Sequence, residues 1–417
     1  MINFYRRVFA VLAFTLLPFS LANAIPMFSR PNHIPCSACH TGDFKLNDFG
    51  ELFDGNGYQL PGTIDRTPVW ENMIPPISLA VQDRESFTQT NDNLLPSNNS
   101  HAATFNSQTA LLLSGGTIAP HVSYMTEYDV ENTGNGELTA GLEYAFINLN
   151  NLFNTDMGQF NIRLGKARME LPFELTPEFY AANYLIYNYP LLISTINPLA
   201  FQLQMAQYGA SVFGRWAELP FSPDYQLAIS GGDAGEVNLQ RARLIYFRVA
   251  PELTLGTIPT NIGLTLISGS QTIDPSDPSL LDTNNSFTYG IDWQLQDPWI
   301  NMFTIWGQVM RFHNSNIQSI SSGFFQDAAG GYLELDAVAI PEKLTLQARY
   351  DWLQEQNVFA SVSNQQNLSQ VSLTARWHLM PNVHLFIEGY NLTTTTTYPA
   401  SDTQSHFYVS GGFFFGL

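Results

Sequence analysis

Only two cysteines occur in 417 residues, Cys36 and Cys39. That excludes a fold stapled by several disulfides. Charge is also scarce, at 13% of residues, and the 17 basic side chains are outnumbered by 36 acidic ones. A formal charge of −19 argues against nucleic acid as a partner, because gripping phosphates takes basic patches. Long apolar runs are missing beyond Ala24; even Tyr184–Ser194 is broken by Asn188 and Pro190. Nothing there reaches the roughly 18 apolar residues that a membrane-spanning helix needs. No motif for hydrolytic or nucleophilic catalysis is present, so no catalytic residue is assigned.

The opening stretch, MINFYRRVFAVLAFTLLPFSLANA, has a basic pair, an apolar centre and a small-residue ending at Ala24. It reads as a secretory signal peptide over residues 1–24, so the remainder is expected to be exported. Loss of Arg6 and Arg7 with the leader takes the formal charge from −19 to −21. An acidic field of that size favours cations. The composition, 45% hydrophobic and 13% aromatic without helical spans, suggests a transmembrane β-barrel.

Patterning supports that class from Ile77 onward. Phe287, Tyr289, Ile291, Trp293 and Leu295 alternate with Thr288, Gly290, Asp292 and Gln294. Two more stretches repeat the period of two: Val371–Leu379, with Leu373 and Trp377 set against Arg376 and His378, and Leu344–Trp352, with Leu346 and Tyr350 set against Arg349 and Asp351. Fully apolar faces paired with charged ones fit lipid outside and water inside.

Strand counting gives roughly sixteen, an even number as bacterial barrels prefer. Long polar links (Thr90–Ala103, Glu170–Gln204, Gln271–Ser286, His313–Gly323, Glu355–Gln366, Thr393–Ser405) alternate with tight turns near Asp297, Pro341 and Pro381. If the first strand rises from the periplasm, every long link lies outside the cell and every tight turn inside. The last segment alternates Phe407, Val409, Gly411, Phe413, Phe415, Leu417, an aromatic-rich final strand. Arg163, Lys166, Arg168, Arg241, Arg243, Arg248 and Arg376 lie on the expected strands, where basic residues set pore electrostatics. The aromatic link after Arg168 is expected to fold into the lumen, contact the N-terminal unit or pack on lipopolysaccharide.

The stretch MIPPI, Met73–Ile77, separates the barrel, residues 76–417, from a small unit over residues 25–75. A unit so short needs a staple to hold a core. Cys36-Ser37-Ala38-Cys39-His40 has the spacing of c-type haem attachment: two thiols add to the vinyl groups and the adjacent imidazole takes the iron. A redox-active disulfide and a metal site are the alternatives. The first lacks a βαβ neighbourhood and the second lacks clustered ligands. A short helix is expected next, capped by Asn47 or Asp48 and stopped at Gly55-Asn56-Gly57, with Leu46, Phe49, Leu52 and Phe53 on one face. The predicted fold is therefore all-β: a transmembrane antiparallel barrel of about 16 strands with a small α-helical haem c domain in front. Met73 is the candidate sixth iron ligand, with His33 and Met27 as weaker candidates and an open position as the remaining case.

The segment Pro26–Leu60 resembles the fused monohaem cytochrome–porin family, whose best-known members are outer-membrane ferrous-iron oxidising cytochromes. Pro26, Phe28, Arg30, Cys36, Cys39, His40, Phe49, Gly50, Gly57 and Tyr58 carry the match, and Pro31-Asn32 departs from the usual Gln-Thr. Separately, LGKARMELPFELTPEFY is similar to a signature of phosphate-selective, sixteen-stranded porins. The resemblance implies one covalent haem c on Cys36, Cys39 and His40, in the outer membrane of a Gram-negative bacterium. It implies electron flow from an extracellular donor, with Fe²⁺ as the natural one, to a periplasmic carrier protein. Other readings are a solute porin with a haem plug or redox gate, and electron flow outward to extracellular acceptors.

Overall fold

Period-two alternation needs a sheet with two unlike faces, and a sheet in lipid must close on itself to leave no unpaired edge. The computed structural model describes residues 27–28, 34, 38–41, 45–60, 68, 71, 76–92, 99–132, 138–154, 160–169, 171, 182–189, 203–216, 219, 221–231, 242–272, 283–296, 302–316, 324–341, 343–359, 362–380, 382–397 and 401–416. The strands are β1 (Ile77–Asp92), β2 (Ser100–Ala119), β3 (Val122–Asn132), β4 (Leu138–Leu149), β5 (Asn161–Ala167), β6 (Gln207–Arg215), β7 (Asp224–Ser230) and β8 (Ala242–Ala250). They continue as β9 (Ile258–Thr272), β10 (Thr283–Gln296), β11 (Phe303–Asn316), β12 (Phe324–Ile340), β13 (Leu344–Phe359), β14 (Val362–Met380), β15 (Val383–Thr396) and β16 (Asp402–Gly416). Pro251, with no N–H for the ladder, interrupts β8, which resumes over Glu252–Leu255 against β9. Each strand is antiparallel to its neighbours, and β16 pairs with β1, Val409 opposite Phe87, to close the barrel.

The expected parity holds for every link and turn named from the sequence. Connections after odd-numbered strands lie at one end and those after even-numbered strands at the other. Two lengths differ. The stretches expected as links over Glu355–Gln366 and Thr393–Ser405 are mostly strand, since β13 runs to Phe359 and β14 starts at Val362, while β15 runs to Thr396 and β16 starts at Asp402. Polar side chains on both faces do not stop a strand that has already left the bilayer; its ladder bonds persist in water. At the opposite end the connections 150–160 and 216–223 are longer than tight turns, and these border the N-terminal unit.

The outward face is apolar: Phe287 is 47% exposed, Ile291 54% and Leu373 60%, while Thr288, Asp292 and Gln294 are buried inside. On β5 Arg163 turns inward and Leu164 faces lipid, while Lys166, also buried, donates to the Leu142 carbonyl of the neighbouring strand at 2.7 Å. Arg248 and Arg376 also point inward, as expected, but Arg243 faces out. Arg241 lies outside the described residues.

Candidate functional site

Sixteen strands enclose a lumen wide enough for an aqueous channel. Here two pieces of the same chain enter it, one at the even-turn mouth and one at mid-height.

The mouth holds the N-terminal unit. His40–Thr41 turns back on Lys45–Leu46 in a two-residue antiparallel ladder and leads into helix α1, Asp48–Gly55. Asn47 does three jobs at that junction. Its Oδ1 accepts from the Gly50 amide at 2.9 Å, capping the helix; its Nδ2 donates to the Ala38 carbonyl at 3.1 Å; its own amide donates to the Cys39 carbonyl at 2.8 Å. Gly50 permits the closeness, because a Cβ there would overlap the Cys39 carbonyl oxygen. The helix ends where expected, with Asn56 as cap and Gly57 at φ 70. A Cβ on Gly57 would collide with the Asn150 amide of the barrel.

Helix α1 is tied to the wall by charge and by packing. Asp54 accepts from Arg163 on β5 at 3.1 Å, and Glu51 accepts from Arg215 on β6 at 2.9 Å. Arg163 is itself fixed, donating to Asn148 at 2.9 Å and lying 4.4 Å and 4.7 Å from the Phe146 and Phe213 ring centres. Asn151 donates to Asn56 at 2.6 Å, Gln59 donates to the Pro120 carbonyl at 3.2 Å, and the Tyr58 hydroxyl meets the Met125 sulfur at 3.4 Å. Phe53 and Tyr58 join Tyr144, Phe146 and Ala206 in one buried cluster.

The donor types present fit a covalently held haem. Cys39 and His40 are half-buried and so reachable, and the backbone behind them is clasped by Asn47 and Gly50. Leu46, Phe49 and Leu52 stay half-buried beside the motif, as apolar side chains for a porphyrin face would be. Phe53, expected on that same face, instead packs the barrel wall. Met27 is buried among Ala80, Leu111, Leu113 and Phe414, so its thioether fills the wall rather than a ligand position. Cys36, His33 and Met73 lie outside the described residues. Among the described residues no group of three His, Cys, Asp or Glu side chains is placed to hold a metal ion.

The second insert, Ala182–Tyr189, contains the short helix α2 (Leu185–Asn188) and belongs to the long aromatic link. Of the three fates open to that link, the described part takes the lumen. Tyr184, Ile186, Tyr187 and Tyr189 are buried against Leu244, Tyr246, Trp306, Met310, Phe312 and Tyr332. The wall's inward charges grip the segment's backbone and hydroxyls. Glu388 accepts from the Ala182 amide at 3.0 Å, Arg349 donates to the Ala182 carbonyl and Gln370 donates to the Asn183 carbonyl at 3.0 Å. Tyr184 donates to Glu334 at 2.5 Å, Tyr187 donates to Gln308, and the Arg349 guanidinium lies 3.7 Å from the Tyr184 ring centre. Tyr332 sits roughly eight residues up β12 from Ile340, about 20 Å along the axis at ordinary strand rise and tilt. The segment therefore lies against the inner wall at mid-height.

The fold defines the class: a closed sixteen-stranded antiparallel barrel with the porin fold. An anion-selective porin from Comamonas acidovorans superposes with a TM-score of 0.52 at 11% identity, over 82% of this chain and 99% of that one. At that identity the likeness is one of fold alone. OmpT of Vibrio cholerae gives 0.49 at 10% identity, over 81% of this chain and 99% of its own, and OprB of Pseudomonas putida gives 0.49 at 7%, over 90% and 99%. No protein-family model matches the sequence. No curated protein matches it either.

Proposed function

We propose that this chain is an outer-membrane electron conduit that takes electrons from an extracellular donor, with Fe²⁺ as the leading candidate, and hands them to a periplasmic carrier protein. Haem c on Cys36, Cys39 and His40 would supply the one-electron exchange. The observation that supports this reading is the seating of α1. The motif's backbone is locked to a helix that Arg163 and Arg215 hold in the barrel mouth, rather than hung on a linker outside.

Each part of the chain has work to do in such a device. Electron tunnelling is short-range and the bilayer core is about 30 Å thick, so a single centre must be carried into the membrane. Asp54 and Glu51 anchor α1 at the even-turn mouth, the start of that path. The Ala182–Tyr189 segment would narrow the lumen, which limits how far an electron path doubles as a leak. The acidic chain, at −19 before loss of its leader, would gather Fe²⁺ at its surface. Oxidised iron is insoluble and best left outside.

The porin fold itself favours one rival: a solute porin whose N-terminal unit is a plug or redox gate. Stopped-flow mixing of the oxidised holoprotein with anaerobic Fe²⁺, beside planar-bilayer conductance, separates the two. The conduit reading expects reduction by Fe²⁺ and no open channel steps. A haem that dithionite reduces but Fe²⁺ does not would sink the iron version, and ohmic channels in the loaded protein would favour the porin.

A further inference from the structure

Arginine is divided unevenly between the two faces of the wall. Among the described strand residues, Arg84, Arg163, Arg215, Arg248, Arg349 and Arg376 turn inward and are buried. Arg243 on β8 and Arg311 on β11 turn outward and are exposed, between the buried inward neighbours Leu244 and Phe312. Both outward arginines fall on one stretch of wall. The register sets Arg243 level with Ser270 and Asn285. One row lower come Ile245, Ser268, Phe287 and His313, and one row lower again Phe247, Leu266, Tyr289 and Arg311. A cleft of about 440 Å³ opens on this outer surface, lined by Arg243, Ser268, Ser270, Asn285, Phe287 and His313 among others. His313 is engaged by Asp327 on β12, so the cleft's positive charge comes from Arg243, while Arg311 stands on the wall below, outside the lining.

Height decides what such a cleft meets. A lipid-facing band about 25 Å tall, at about 2.5 Å of axial rise per tilted residue, reaches roughly ten residues up from the even-turn end of β10, near Asn285. The cleft therefore straddles the rim on the odd-link side, the outer-leaflet side, with Ile245, Tyr289 and Ile291 beneath it in the apolar belt. Arg311 starts inside the belt, where a guanidinium is costly unless its stem carries it up to a polar or anionic partner. Near the same height elsewhere the outward wall shows Phe87, Tyr128 and Phe407, none of them charged.

We propose that this cleft binds the phosphate of an outer-leaflet glycolipid, the phosphorylated lipid A headgroup of lipopolysaccharide. Arg243 in the cleft presents forked donors matched to phosphate oxygens, and Arg311, two rows lower and three strands away, adds positive charge beneath it. Ser268, Ser270 and Asn285 supply neutral hydrogen bonds for the sugar, and Ile245 and Phe287 lie against the first acyl carbons. The site rests on the barrel's place in the outer membrane and is independent of what the N-terminal unit carries.

The test titrates delipidated, refolded full-length protein in detergent with bis-phosphorylated lipid A and with its dephosphorylated form, read by native mass spectrometry. The wild type should prefer the phosphorylated lipid by about tenfold. Arg243→Gln/Arg311→Gln, with folding checked by heat-modifiable gel migration, should lose that preference. Lys343→Gln, exposed at the opposite end, should keep it. If the double variant does not fold, the wild-type comparison of the two lipids decides alone. Equal binding of both lipids, a preference retained by the folded double variant, or displacement by millimolar inorganic phosphate would each overturn the proposal, the last by marking a small-anion site.

Discussion

Arg163→Ala tests whether α1 is held by the wall or merely lies near it. The substitution removes an ion pair to Asp54 at 3.1 Å, a hydrogen bond to Asn148 at 2.9 Å and two ring contacts, to Phe146 and Phe213. Asp54 is 29% exposed at its side chain, so its pair is screened and contributes about 1 kcal/mol or less. The hydrogen bond to Asn148 and the ring contacts are made within the wall, so their about 2 kcal/mol falls on the barrel and not on docking. Loss of the Asp54 pair alone raises the undocked population by up to about fivefold, at about 1.4 kcal/mol per factor of ten. Hydrogen exchange reads this directly at the amides of Glu51, Asn56 and Tyr58, which bond to Asn47, Leu52 and Phe53 inside the unit. Their exchange should quicken by up to about fivefold while the ladder amides of β13 and β14 stay protected. Asp54→Asn, which removes the same screened pair, should quicken them by a similar amount. Unchanged exchange at α1 in Arg163→Ala would refute the docking argument, and equal loosening of the distant strands would show that the variant damages the barrel instead.

Three further outcomes follow from the same contacts. Gly50→Ala forces a methyl into the Cys39 carbonyl at a cost of about 1–3 kcal/mol, so α1 amide exchange should rise and the covalently haem-loaded fraction by intact mass should fall. Tyr184→Ala/Tyr187→Ala strips the rings that narrow mid-lumen, and single-channel recordings should show open steps that the wild type lacks; silent recordings would mean the segment is not the barrier. Asp292→Asn strands the buried Arg248, which donates to it at 3.2 and 2.8 Å, and should lower the urea midpoint of unfolding by the equivalent of about 3–5 kcal/mol, with partial rescue by Arg248→Met.

Much of the barrel was legible because its rule is local. Lipid outside and water inside write themselves onto odd and even positions, so Phe287, Tyr289 and Ile291 could be set against Thr288 and Asp292 from the letters alone. Link parity is equally local, and every expected link and turn falls at its expected end. The failures are of other kinds. Arg243 takes an outward position, where a basic strand residue was expected to line the pore. Glu355–Gln366 looked like a link because polar composition says where lipid stops, not where hydrogen bonding stops. The seating of α1 was invisible, because Asp54 and Arg163 are 109 positions apart and Glu51 and Arg215 are 164. Chance pairing of so many acids and few bases carries no signal at that range. What the sequence did hold was the reason for Gly50 and Gly57: small residues mark where another backbone or amide comes close, here the Cys39 carbonyl and Asn150.

The central claim is that the motif at Cys36, Cys39 and His40 carries a haem used for electron transfer. The most direct measurement is a haem stain and absorption spectrum of the outer-membrane protein, wild type beside Cys36→Ser. The account predicts a covalently stained band with a sharp reduced c-type α band in the wild type, and loss of the covalent stain in the variant while the barrel still folds. A wild-type protein that is folded in the outer membrane and carries no covalent haem would contradict it.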